Sequence, residues 1–98
     1  MKQKQYTFFI GQNNTTRKAE YKKAERVFLR HNVKGFSVTK NIKGYWESQT
    51  ERSFKVEVIA NEFNPFNKTK AKTIKTELET ELKQFLVLVK IETIEILN

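Results

Sequence analysis

Two stretches decide the fold, Phe36-Ser37-Val38-Thr39-Lys40-Asn41-Ile42 and Phe54-Lys55-Val56-Glu57-Val58-Ile59-Ala60. Each alternates apolar and polar residues with a period of two, the pattern of a strand with one buried face. Two such strands flanking a loop around Trp46 to Thr50 form a hairpin. Lys40 breaks the apolar parity of the first strand, either as a snorkelling lysine or as the mark of a bulge.

Upstream, Tyr6-Thr7-Phe8-Phe9-Ile10 is a short β-rich run ended by Gly11 and the polar loop Gln12-Asn13-Asn14. A helix follows, with Thr15 or Thr16 as its N-cap and Ala19, Tyr21, Ala24, Val27 and Phe28 close to one stripe. Arg17, Lys18, Lys22, Lys23, Arg26 and Arg30 fall mostly on the other side. His31 suits a helix C-terminus, where the macrodipole favours a cation. Downstream of the hairpin, the turn-rich segment 61–67 leads into a second helix starting near Asn67, on which Ala71, Ile74, Leu78, Leu82 and Phe85 recur at spacings of three and four. Leu86 to Ile96 returns to a strand, in which the pattern shifts at Thr93 and Ile94 as at a bulge or where a strand enters another interface.

The order strand, helix, strand, strand, helix, strand gives an α+β class fold over residues 1–98. It predicts a ferredoxin-like βαββαβ domain, a four-stranded antiparallel sheet with both helices on one face. Phe8, Phe36, Val38, Phe54, Val56 and Val58 face the helices. Phe9, Ser37, Thr39, Asn41, Tyr45, Glu51, Ser53, Lys55, Glu57 and Ile59 carry the opposite parity. Phe9, Ile59 and Leu86 or Leu88 then form an apolar patch on the uncovered face, which predicts a homo-oligomer.

Composition limits the chemistry. Leu, Ile, Val and Phe supply 28 of 98 residues, enough for a core. There is no cysteine, and His31 is the lone histidine, which excludes disulfides and thiol nucleophiles and argues against histidine metal sites and His-based triads. No metal and no cofactor is expected. No apolar run approaches the roughly 20 residues of a membrane helix, and the N-terminus leads into no signal-like segment, so the chain reads as soluble and cytoplasmic. The net charge of +8 lies wholly in residues 1–50, where eleven Lys and Arg face three Glu. Such a bias favours an anionic partner: nucleic acid, a nucleotide or a phosphorylated metabolite. Lys68, Lys70 and Lys72 at the start of the second helix read either as a phosphate site or as a solvated face.

Within the hairpin, setting Tyr45 opposite Glu51 pairs Lys43 with Ser53, Asn41 with Lys55, Thr39 with Glu57 and Ser37 with Ile59. A phenol and a carboxylate then flank one small space, suited to a cationic ligand. A solvent-exposed Tyr and Glu near a hairpin tip is the plainer alternative.

The order of Tyr6 to Ile10, Gly35-Phe36-Ser37-Val38 through Lys43-Gly44-Tyr45-Trp46, Thr50 to Val56, Lys70 to Ile74 and Gln84 to Val89 resembles the phage-type S-adenosylmethionine (SAM) lyases and the SAM-AMP lyases of CRISPR signalling. The resemblance implies a trimer of ferredoxin-like subunits with sites between subunits, Tyr45 and Glu51 as catalytic residues, and Phe9, Gln12, Trp46, Arg52 and Lys55 as substrate-binding residues. It also implies a reaction without cofactor: the substrate's carboxylate attacks its own γ-carbon and releases methylthioadenosine and homoserine lactone. Free SAM is a net cation, whereas the AMP conjugate adds a phosphodiester that a basic protein attracts.

Two other classes fit the same elements. A nucleic-acid-binding module shares the topology and the basic pI, but its stacking aromatics are missing, since Ser53, Lys55 and Glu57 stand outward on the third strand. A non-catalytic oligomer that inhibits or scaffolds a partner fits the apolar patch.

Overall fold

The computed structural model describes residues 2–46, 49–84 and 86–97; the side chains of Lys2, Trp46 and Gln49 lie outside the described set. The elements run β1 (Lys2–Ile10), α1 (Tyr21–Arg30), β2 (Ser37–Trp46), β3 (Gln49–Ala60), α2 (Lys68–Glu81) and β4 (Leu88–Glu95). All strand pairs are antiparallel, in the order β2-β3-β1-β4, so the expected ferredoxin-like βαββαβ fold is the one observed.

Period-two alternation does on the two central strands, β1 and β3, what it promised. Tyr6, Phe8 and Ile10 of β1 lie opposite Val58, Val56 and Phe54 of β3, and all six are buried against the helices. Ala24, Val27 and Phe28 of α1 and Ala71, Ile74 and Leu78 of α2 close the core from above. Phe8 meets Phe28 edge to face at 5.0 Å, and Phe66 packs against Tyr6 at 4.8 Å. Each fully buried aromatic contributes about 1.5–3 kcal/mol relative to exposure. The two helices are clamped at their ends, where Arg30 reaches Glu77 (3.1 Å) and Glu81. His31 Nε2 sits 3.0 Å from Glu77 Oε2, close enough for an ion pair but not aligned for a straight hydrogen bond.

Several boundaries differ from expectation. β1 begins at Lys2, because Lys4 and Gln5 pair with both β3 and β4 although their side chains are polar. α1 begins at Tyr21, five or six residues past the expected caps. Asn13 captures the preceding segment instead: its Oδ1 accepts from the N–H of Thr15 (2.7 Å) and Thr16 (3.1 Å), and its Nδ2 donates to Glu20. α2 starts as expected, with Asn67 accepting from the Lys70 N–H at 2.8 Å. β4 pairs with β1 without a break from Glu95 to Leu88, so the bulge expected at Thr93 is absent. Phe85 lies outside the described residues. No helix among the described residues is long and apolar enough to cross a membrane.

Candidate functional site

The hairpin register differs from the one expected, and the site changes with it. Thr39 opposes Lys55, yet Ile42 opposes Ser53, so β2 carries one extra residue opposite Phe54. The bulge sits at Lys40 and Asn41. Asn41 is left-handed (φ 59°), and the Lys40 ammonium lies 4.2 Å from the centre of the Tyr21 ring. Beyond it each β2 residue has changed faces. Gly44 therefore opposes Glu51 and Tyr45 opposes Thr50, in place of the expected Tyr45–Glu51 pair. Lys43 opposes Arg52, and the pairings expected for Asn41, Thr39 and Ser37 fall likewise. Trp46 pairs with Gln49, which makes the hairpin tighter than a loop from 46 to 50; Glu47 and Ser48 lie outside the described residues.

β1 ends at Ile10 while the β2–β3 ribbon continues past it, leaving a hollow on each side. On the uncovered face lies one of about 340 Å³, lined by Phe9, Gly11, Gly44, Tyr45, Glu51, Ser53, Gln84, Leu86 and Leu88 among others. On the helix face lies one of about 890 Å³, lined in part by Gln12, Lys18, Tyr21, Lys43, Thr50 and Arg52. Glu51 and Ser53 line both, because they form the wall between them.

Glu51 is packed closely between two glycines at the smaller hollow. A Cβ on Gly11 would stand 2.7 Å from Glu51 Oε1, and one on Gly44 would stand 3.3 Å from its Cγ. Neither glycine has a positive φ, so each is needed for close approach and not for its backbone conformation. Ser53 Oγ donates to the Ile42 carbonyl at 2.8 Å, tying the ribbon just past the bulge. Where β1 leaves β3, Gln12 takes its place: its side-chain oxygen accepts from the Arg52 N–H at 3.2 Å. Gln84 in turn donates to the Gln12 carbonyl, which leaves its own side-chain oxygen facing Gly11. No sequence signal marks Gln84, which sits in the turn after α2.

The residues expected at one site thus divide. Phe9 and Glu51 gather at the uncovered-face hollow; Gln12 and Arg52 border the helix-face hollow. Tyr45 borders the uncovered-face hollow, but the register turns its side chain to the other face of the ribbon with Lys43, Thr50 and Arg52. The expected pairing of its phenol with the Glu51 carboxylate across one space therefore does not form. Tyr45 is 67% exposed and shares its ribbon face with Lys43, whose ammonium lies 5.6 Å from its ring centre. Lys55 joins neither hollow: it stands between Phe9 and Thr39 in the sheet and pairs with Glu57 at 3.5 Å. The Trp46 side chain lies outside the described set. Phe9 (39%), Leu86 (54%) and Leu88 (58%) are exposed as the apolar patch requires. Ile59 shares their face and is half-buried.

No protein-family model and no curated protein matches the chain. Solved structures do. A phage SAM lyase in complex with S-methyl-5'-thioadenosine superposes with a TM-score of 0.65 at 20% identity, over 92% of this chain and 80% of that one. CPII, a nitrogen regulatory PII-like protein from Thiomonas intermedia K12 bound to ADP, AMP and bicarbonate, gives 0.61 at 12% identity, over 100% and 96%. A putative PII-like signalling protein from Thermus thermophilus gives 0.55 at 18%, over 96% and 87%. At these identities the likeness establishes a shared ferredoxin-like fold, one that carries both a lyase and PII-like proteins.

Proposed function

We propose that the chain is a lyase that cleaves S-adenosylmethionine or its AMP conjugate at the carbon–sulfur bond, using the hollow on the uncovered face. The observation that carries this reading is the Glu51 carboxylate seated against Gly11 and Gly44 in a cleft walled by Phe9, Leu86 and Leu88. An anionic group beside an apolar wall suits a ligand that is cationic at one end and a flat nucleoside at the other.

The reaction asks little of the protein. One substrate carboxylate oxygen forms a bond to its own γ-carbon as the γ-carbon–sulfur bond breaks. The electron pair leaves with sulfur, producing neutral methylthioadenosine, or its AMP conjugate, and homoserine lactone. No proton moves in that step. The sulfonium charge disappears along the way, so a carboxylate pressed on sulfur would hold the ground state more strongly than the transition state. Glu51 is therefore assigned to the substrate ammonium, where its attraction is constant and fixes the folded conformer that closes the ring. Phe9 supplies a surface for the nucleoside, and Tyr45, turned to the other face of the ribbon, takes no part within one subunit. The open side of the cleft and the apolar patch around it are covered by further copies of the chain, as a trimer.

Incubation with each sulfonium compound, followed by mass spectrometry, should reveal homoserine lactone, and Glu51→Gln should slow its release at least about a hundredfold. Failure to turn over either compound would refute the lyase reading. Full activity of the variant would remove Glu51 from the site.

A further inference from the structure

We propose that the helix-face hollow is a second binding site, one for the phosphate of a nucleotide. Three cations from three separate segments converge on it: Lys18 from the loop before α1, Lys43 from β2 and Arg52 from β3. Lys43 and Arg52 are directly opposed across the ribbon. Like charges in that position destabilise a strand pair, and an anion held between them reverses the sign of the effect.

What marks the cluster is its convergence on one hollow and the opposed Lys43–Arg52 pair, since Lys4, Lys22, Lys34 and Lys68 among others also stand without a carboxylate partner among the described residues. Lys23, Arg30, Lys55, Lys75 and Lys90 each stand within ion-pair distance of a glutamate, while none of Lys18, Lys43 and Arg52 does among the described residues. Glu51 lines the same hollow but packs on the opposite face of β3, against Gly11 and Gly44. Gln12, Asn41 and Thr50 add neutral polar groups around the cations, and Tyr21 adds an aromatic wall. The guanidinium fork of Arg52 fits two phosphate oxygens at once, with the lysines as point charges beside it. At about 890 Å³ the hollow is of the size that holds small ligands, about 300–1,000 Å³.

The site goes beyond the lyase reading and does not depend on it, since it occupies the other face of the ribbon. Calorimetric titration of the full chain with AMP, adenosine and inorganic phosphate tests it. AMP should bind more tightly than adenosine, inorganic phosphate should compete with it, and added salt should weaken it. The double variant Lys43→Gln/Arg52→Gln should lose at least tenfold in AMP affinity with an unchanged circular dichroism spectrum. AMP should still bind when methylthioadenosine is present at saturation. Equal AMP affinity in the double variant would overturn the proposal. So would adenosine binding as tightly as AMP, or displacement of AMP by methylthioadenosine, which would put the nucleotide on the uncovered face. Sulfonium turnover is measured separately, so either reading can fail without the other.

Discussion

The inner and outer halves of the β2–β3 ribbon are built from the same kind of sequence and behave differently. In the inner half, Ser37, Val38 and Thr39 face Glu57, Val56 and Lys55, the ribbon is part of the four-stranded sheet, and parity alone says which side chains are buried. In the outer half, beyond one extra residue at Lys40 and Asn41, the faces are exchanged and β1 is no longer alongside. The inner half is held by the core; the outer half is held by the Ser53–Ile42 bond, the Gln12 plug and two glycine contacts. The difference shows how one inserted residue turns a structural ribbon into a wall with a distinct surface on each side.

The contrast is broken most forcefully at Phe54, which is 1% exposed and lies directly beneath the bulge. Phe54→Ala should cost about 3–5 kcal/mol in denaturant unfolding. Tyr45→Ala, farther out on the same ribbon, should cost less than about 0.5 kcal/mol. Comparable losses for the two would mean that both halves share one core.

Asn41 is the next most sensitive position. Its left-handed backbone suits asparagine or glycine, so Asn41→Val should destabilise by about 1–2 kcal/mol while Asn41→Gly is nearly neutral. Equal tolerance of both would show that the extra residue sits elsewhere. The smallest effect is expected from acid, which perturbs the helix clamp and leaves the ribbon's pairing alone. The Arg30 hydrogen bond, and then the nearby His31 ring, hold the Glu77 carboxyl below its ordinary value of 4.5. At Glu79, burial acts to raise the pKa, but the Lys75 hydrogen bond and the Val87 N–H together outweigh it and leave the carboxyl lowered. Both groups bind protons more readily in the unfolded chain, so their stabilisation is complete above that ordinary value. It is lost as pH falls below 4.5 and through the lowered folded values. Melting temperature should fall over that range, and less steeply in Glu77→Gln.

Most of the fold was legible because burial imposes a period. Phe54, Val56 and Val58 announce a half-buried strand, and Ala71, Ile74 and Leu78 announce a helix, whatever surrounds them. Lys2 to Gln5 carried no such mark; pairing with β4 along the whole stretch, and with β3 from Lys4, makes it a strand. The α1 start was obscured because Thr15 and Thr16 have the chemistry of caps, but Asn13 takes their amides first. The site was half legible. Lys40 signalled an irregularity, but parity cannot say whether a residue is inserted or merely exposed, and that choice decides whether Tyr45 or Gly44 faces Glu51. Gln84 reaches the site through a turn 72 residues from its partner Gln12, a juxtaposition that only packing reveals.

The central claim is that small-molecule chemistry occurs on the uncovered face beside Glu51. Amide chemical-shift mapping of the intact chain with methylthioadenosine addresses it directly. The account predicts perturbations clustered at Phe9, Gly11, Gly44, Glu51, Gln84 and Leu88, with Lys18 and Tyr21 unmoved. Perturbations confined to Lys18, Tyr21 and Lys43, with Phe9 and Leu88 silent, would contradict it.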